Sequence, residues 1–455
     1  MPSTPNGPAI YQRPASLLQQ LIRFNTTNPP GNEAACISFI QGLLTEADVP
    51  TMLLARNPAR PNLIARLPGQ GNAPPLLLQG HIDVVTTEHQ IWQHPPFEGK
   101  EVDGYIWGRG TLDMKGSVAM MLAAFLRAKA EGTALPGDVV LAVLCDEEAG
   151  SDDGAKYLVE HYPEVFQGIR YALGEAGGFS LYIGGRKFYP IQVVEKQVCW
   201  MRATVRGPAG HGSIPMHGGA MAKLGHLLQH LDAHRLPVHI TPVARQMLEA
   251  ISSAFPPPFS SMFSQLLDPA LTDRTLDGLG TQSLLFDAML HNTVNATIVR
   301  GGDKINVVPS EIVVELDGRL LPGYHPADII AELRPILGDE VELELMRHDP
   351  GPAEPDMGLF ETLADILREA DQDGITIPFL LFGVSDARFF SRLGIQTYGF
   401  TPMQLPEAFN FMQTIHAADE RVPVEALDFG TNAIYSVLQR FDSSAPSYAL
   451  KLSTA

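Results

Sequence analysis

The stretch "LLLQGHIDVV", residues 76–85, decides how the chain is read. Its three leucines predict a buried strand, and Gly80 predicts a turn at the strand's end. Just past that turn stand His81 and Asp83, an imidazole and a carboxylate two positions apart. Such a pair is either a local hydrogen bond or part of a site at a strand's carboxyl end.

Outward from this stretch, strands and helices alternate. "NLIARL", "DVVLAVLC" and "YALGE" read as further buried strands, and "KGSVAMMLAAFLRAKAEG" as a helix stopped by Gly132. Residues 14–48 read as helical with a break near "TTNPPGN". Continuous apolar strands separated by helices predict an α/β fold with a mostly parallel sheet covered by helices on both faces. From residue 196 the pattern changes to β-α-β-β-α-β, the ferredoxin-like order. Residues 196–348 therefore read as an inserted α+β domain, interrupted by an excursion over 251–290 rich in Phe, Pro, Leu and Met. Helices and strands of the first type resume after "HDPGPAEPD", so the larger domain is discontinuous, 1–195 with 349–455.

At 455 residues the chain exceeds one ordinary core. A content of 45% hydrophobic and 18% charged residues is that of a globular chain. The net charge of −19 argues against nucleic acid or an anionic membrane as partner, since both need a basic patch. Cys36, Cys145 and Cys199 are scattered, form no CxxC, and read as small buried residues. The N-terminal "MPSTPNGPAIYQRP" has no apolar core of a signal peptide, and no apolar run reaches about 18 residues, so a cytoplasmic protein is expected.

The ionisable residues that follow buried strands of the larger domain are His81 and Asp83; Asp113; Asp146, Glu147 and Glu148; and Glu175. In an open α/β sheet, ligands bind beyond the carboxyl ends of the strands. Carboxylates converging there repel one another, and one or two divalent cations remove the conflict. Histidine with carboxylates suits Zn²⁺, with Mn²⁺ or Co²⁺ as substitutes. Each residue alone has a plainer reading: a local His–Asp hydrogen bond, a solvated Glu–Glu pair, an acid at a helix N-terminus.

Their order is more specific. "GHIDVV", "GRGTLDMKG", "DEEAGS", "GEAGG", "GHGSIP", "NVVPSE", "GVSDARFF" and "IHAADERV" resemble the zinc-dependent aminoacylase, carboxypeptidase G and acetylornithine deacetylase family over residues 14–440. The details are most similar to its aminoacylase and vacuolar-carboxypeptidase-like branch. The resemblance implies a di-zinc exopeptidase-type catalytic domain and a smaller lid domain through which the chain forms a homodimer. It implies that Asp113 bridges two zinc ions, that His81 and Glu175 complete one, and that Glu148 and His416 complete the other. Glu147 is then the general base, and Asp83 the residue that holds the His81 imidazole. His211 in the lid would stabilise an oxyanion, acting in its own or a partner subunit, and Asn295 would face the substrate. Arg388 would grip a substrate carboxylate bidentately.

The expected reaction is hydrolysis of an amide bond next to an amino acid with a free carboxylate, in an N-acyl amino acid or a short peptide. The 251–290 excursion is expected to be either a packing or dimer contact, or an apolar wall for an acyl chain. Two other readings stand beside this one. Ser385 in "FGVSDARFF" nearly forms the G-x-S-x-G elbow of a serine hydrolase, with Ala387 in place of the last glycine. A non-catalytic metal-binding or scaffold protein is the other.

Overall fold

The computed structural model describes residues 9–442; residues 1–8 of the Pro-rich N-terminal stretch, and residues 443–455, lie outside the described residues. The chain divides into two compact units. The first holds residues up to Val193, Pro355–Phe379 and those from Ser385; the second holds Val194–Glu354 and Leu380–Val384.

The first unit is built on a nine-stranded mixed sheet. Leu76–His81, Val139–Leu144, Tyr171–Gly174 and Gln396–Gly399 form its parallel centre: the first pairs with the second and third, and the third pairs with the fourth. The flanks run antiparallel, with Thr51–Leu54 on Asn62–Leu67, Asn62–Leu67 on Val139–Leu144, and Gln396–Gly399 on Arg186–Glu195. The central strands are buried residue by residue, as strands covered on both faces must be.

The expected turn at Gly80 is not there. Gly80 and His81 belong to the strand, opposite Val143 and Leu144. Gly80 is small for a packing reason: a Cβ on it would lie 2.8 Å from Met114 Cε and 2.9 Å from Val118 Cγ2. These residues open the helix Lys115–Glu131, which is apolar nearly all round, buried along most of its length, and ended by Gly132 in the left-handed conformation at φ 62°. The absent side chain thus lets helix and strand approach closely, and His81 inherits the rigidity of both.

The second unit contains a four-stranded antiparallel sheet in the order Thr293–Arg300, Glu311–Leu320, Gln197–Arg206, Glu342–Asp349. With the helices Ala220–Ala233 and Pro326–Leu337 this is the ferredoxin-like order. Its own core gathers Met201, Val205, Leu227, Leu316 and Leu333. The excursion proves to be helical: Pro242–Ser253, Phe259–Gln265, Thr272–Leu279 and Leu284–Leu290. Phe255, Phe259, Phe263 and Phe286 pack ring on ring within it. Among the described residues no helix is long and apolar enough to cross a membrane.

Candidate metal centre

Three neighbouring parallel strands of the first unit end side by side. His81 closes one, the turn Glu147–Ala149 follows the second after Cys145 and Asp146, and Glu175 follows the third. Asp113 arrives from the loop ahead of the long helix, and His416 from a loop near the C-terminus.

The geometry centres on Asp113. Its Oδ1 lies 3.2 Å from His81 Nε2, which is itself 3.4 Å from Glu175 Oε2. Its Oδ2 lies 2.9 Å from His416 Nε2, which is 3.4 Å from Glu148 Oε1. Each carboxylate oxygen of Asp113 therefore faces a separate pair of one imidazole and one carboxylate. In each of the sets His81–Asp113–Glu175 and Asp113–Glu148–His416, the donor atoms lie within 4.8 Å of one another.

The donor set fits cations. His81 Nδ1 sits 3.0 Å from the Asp83 carbonyl oxygen, which can only accept, so Nδ1 carries the hydrogen and the Nε2 lone pair points into the cluster. Among the described residues, buried His81 Nε2 and Glu148 Oε1 have no hydrogen-bond partner of good geometry. The electrostatics agree. Burial and then the Asp113 charge push Glu148 up to about 7. Burial and then the Glu175 charge hold Glu147 well above the usual carboxylate range. Contact with the Asp113 carboxylate and then the Glu148 carboxylate pushes His416 up to about 10. Cations at this position would relieve the crowding of buried carboxylates that raises Glu147 and Glu148.

Glu147 is in neither ligand set. Its carboxylate lies beside the cluster, largely buried, 3.7 Å from Arg388 Nη1. Arg388 is itself buried and donates through Nη1 to the Ser385 carbonyl. Ser385 is buried, with its Oγ accepting from the Ala387 amide, while the His416 ring faces Asp113. The His416 ring nitrogen is thus engaged by the acids of the cluster, as the metal reading requires and the serine reading does not. His211 and Asn295 belong to the second unit. His211 is exposed, with Nδ1 2.7 Å from Ser213 Oγ. Asn295 lies on a strand opposite Asp317.

Asp83 does more than the pattern suggests. Its carboxylate oxygens accept from the Glu147 and Glu148 amides, both at 3.1 Å, and from Asn28 Nδ2 at 2.8 Å. Its Oδ1 is 3.5 Å from His81 Nδ1, so its carbonyl rather than its carboxylate makes the shorter contact. Asp146, grouped by sequence with the converging acids, turns away. At φ 68° it accepts from Arg60 Nη1 and Asn28 Nδ2, and Arg60 also pairs with buried Glu33.

Sequence reading gave no role to Glu420, although it stands in "IHAADERV". It is fully buried, and its oxygens accept from the amides of Gly110, Leu112 and Asp113 and from Arg109 Nη1.

Comparison with known proteins joins this geometry to a lineage. Residues 77–440 match the model of peptidase family M20/M25/M40. The human N-fatty-acyl-amino acid synthase/hydrolase PM20D1 is 28% identical over 393 residues, covering 82% of this chain and 76% of that protein. Pig aminoacylase-1 is 26% identical over 447 residues, covering 95% and 96%. The M20 family metallo-carboxypeptidase Sso-CP2 of Sulfolobus solfataricus shares the fold, with a TM-score of 0.67, 15% identity, and coverage of 94% of this chain and 98% of that one.

Proposed function

The chain belongs to peptidase family M20/M25/M40, and on that footing we propose that its Asp113 cluster holds two zinc ions and hydrolyses the amide bond of an N-acyl amino acid or a short peptide with a free carboxylate. The observation that carries this reading is the division of Asp113: one oxygen toward His81 and Glu175, the other toward His416 and Glu148. Imidazole nitrogen with carboxylate oxygen is a donor set suited to zinc.

When bound, the ions supply polarisation of the amide carbonyl and a lower pKa for the attacking water. The chain's own residues do the rest. Glu147, kept out of both ligand sets and raised in pKa by burial, takes the proton of the attacking water and delivers it to the leaving amine. Asp83 holds the Glu147–Glu148 turn through its two amides, so the base and a ligand keep their spacing. Arg388, beside Glu147, is the cation for the substrate carboxylate. His211 as oxyanion donor, Asn295 as substrate contact and a homodimer through the inserted domain complete the proposal by family resemblance; a cytoplasmic setting is kept from the sequence reading alone. Support for the acyl-amino acid class comes from the names of the relatives, an acyl-amino acid hydrolase and an aminoacylase.

The test is release of free amino acid from N-acetyl, N-lauroyl and dipeptide substrates, before and after metal stripping and with Zn²⁺ added back. We expect activity to vanish and return with zinc. Turnover that persists in protein shown by elemental analysis to be metal-free would overturn the reading.

A further inference from the structure

The two ligand sets are supported differently. His81 and Glu175 end adjacent core strands, and His81 is wholly buried. His416 sits on a loop with its side chain 49% exposed and its backbone in the left-handed region at φ 59°. For a residue other than glycine that conformation persists only where its surroundings impose it.

The surroundings are specific. The His416 carbonyl oxygen accepts two hydrogen bonds, from Gln90 Nε2 at 2.9 Å and from Arg109 Nη2 at 3.1 Å. Arg109 Nη2 also donates to Gln90 Oε1 at 2.9 Å, which closes the triangle. Arg109, 1% exposed, has its other arm, Nη1, on Glu420 Oε2 at 2.6 Å. Glu420 in turn accepts the Leu112 and Asp113 amides through Oε1. One buried guanidinium–carboxylate pair thus spans from the backbone of Asp113 to the backbone of His416, the two ligands facing each other across one ion's position.

We infer that Arg109, Glu420 and Gln90 form a clamp that sets the spacing of His416 from Asp113, and so governs selectively the affinity of the ion held by Asp113, Glu148 and His416. The inference rests on the two-ion reading above. These are positioning residues: none has a donor atom in either ligand set. The selectivity follows from where each contact lands. Gln90 and the second arm of Arg109 touch only the His416 side, while the Glu420 contacts to the Asp113 loop survive their loss. The ion held by His81, Asp113 and Glu175 shares the Asp113 loop with Glu420, but neither Gln90 nor the second arm of Arg109 reaches its ligands.

Two variants separate the parts. Arg109→Lys keeps a positive charge for Glu420 but lacks the fork that reaches His416. Gln90→Ala removes the half-buried partner of the same carbonyl and leaves the buried pair intact. The zinc-loaded full chain is exposed to a graded series of a chelator, and the zinc remaining bound is counted. The wild type should release two ions. In each variant one ion should leave at tenfold to hundredfold lower chelator strength, the range expected when a supporting contact of a ligand is lost. The second ion should leave where it does in the wild type. Stripped Gln90→Ala should melt close to the wild type, whereas stripped Arg109→Lys should melt lower, because it loses buried hydrogen bonds with or without metal. Release of both ions at wild-type strength, or equal weakening of both, would overturn the clamp. A wild type that holds no zinc would instead overturn the two-ion reading beneath it.

Discussion

Glu147 and Glu148 are adjacent in sequence and, in the proposed reading, opposite in task. Glu148 faces His416 and Asp113, whereas Glu147 faces Arg388 and belongs to neither ligand set. Glu147→Gln should therefore keep its zinc and lower kcat by about 10²–10⁴, the usual contribution of a positioned proton-transfer group. Elemental analysis beside steady-state kinetics checks both halves; near-normal kcat with full metal would remove the base. His81, Asp113, Glu148 and Glu175 were legible as candidates because ligands of an α/β sheet gather at strand carboxyl ends, whereas His416 came only from the family resemblance. The residues alone did not separate the three acids of "DEE"; the resemblance divided Glu147 from Glu148 and left Asp146 without a role. Asp146 turns away because Arg60 and Asn28, remote in sequence, supply the charge and hydrogen bonds that hold its left-handed backbone. Glu420 went unassigned for a related reason: its partners are mainly backbone amides, which leave no mark on residue identity.

At the scale of elements, the buried central strands could be read because unbroken apolar runs have one stable use, a covered parallel sheet. The excursion could not. Its Phe and Pro residues suit a surface wall as well as a packed helical insert, and helices of seven or eight residues give too few turns for a firm period. What ties the insert together is His291, 1% exposed, at the end of Leu284–Leu290. Its Nδ1 is 2.9 Å from Asp287 Oδ1, and its Nε2 is 3.1 Å from Asp273 Oδ1 on the preceding helix. Burial, the largest single influence, would lower the pKa of this imidazole; the side chain and backbone of Asp287 together with the Asp273 charge outweigh it and raise it. Arg235, paired with Asp287 and Asp277, and Lys196, whose Nζ donates to the His291 carbonyl at 2.9 Å, are basic groups in the same cluster. A raised folded pKa stabilises below the unfolded value near 6.5, and that stability is lost as pH rises through the folded value. The insert should thus become easier to cleave by a protease as pH rises above about 6.5, and His291→Gln should flatten that dependence. Equal pH dependence in the two proteins would show that His291 does not carry it.

Across the whole molecule, alternating strands and helices in one region and β-α-β-β-α-β in another were both legible, since each order follows from a period that residues alone display. The antiparallel flanks of the large sheet were not, because pairing direction depends on the path of the chain between strands. The two cores have a thermodynamic consequence. All seven residues of the cluster and its base and support (His81, Asp83, Asp113, Glu147, Glu148, Glu175 and His416) lie in the first unit, and the core of the second has no part in it. An ion that binds the folded state alone stabilises it by RT ln(1 + [L]/Kd), about 4 kcal/mol at a thousandfold excess over Kd. Removing the ions also returns mutual repulsion to carboxylates in a chain already at −19. Calorimetry before and after chelation should therefore show one transition displaced downward by several degrees and another left in place, with zinc restoring the first. A single transition that shifts as a whole would mean the two cores unfold as one cooperative body, and the metal would then stabilise the entire chain rather than the unit that holds it.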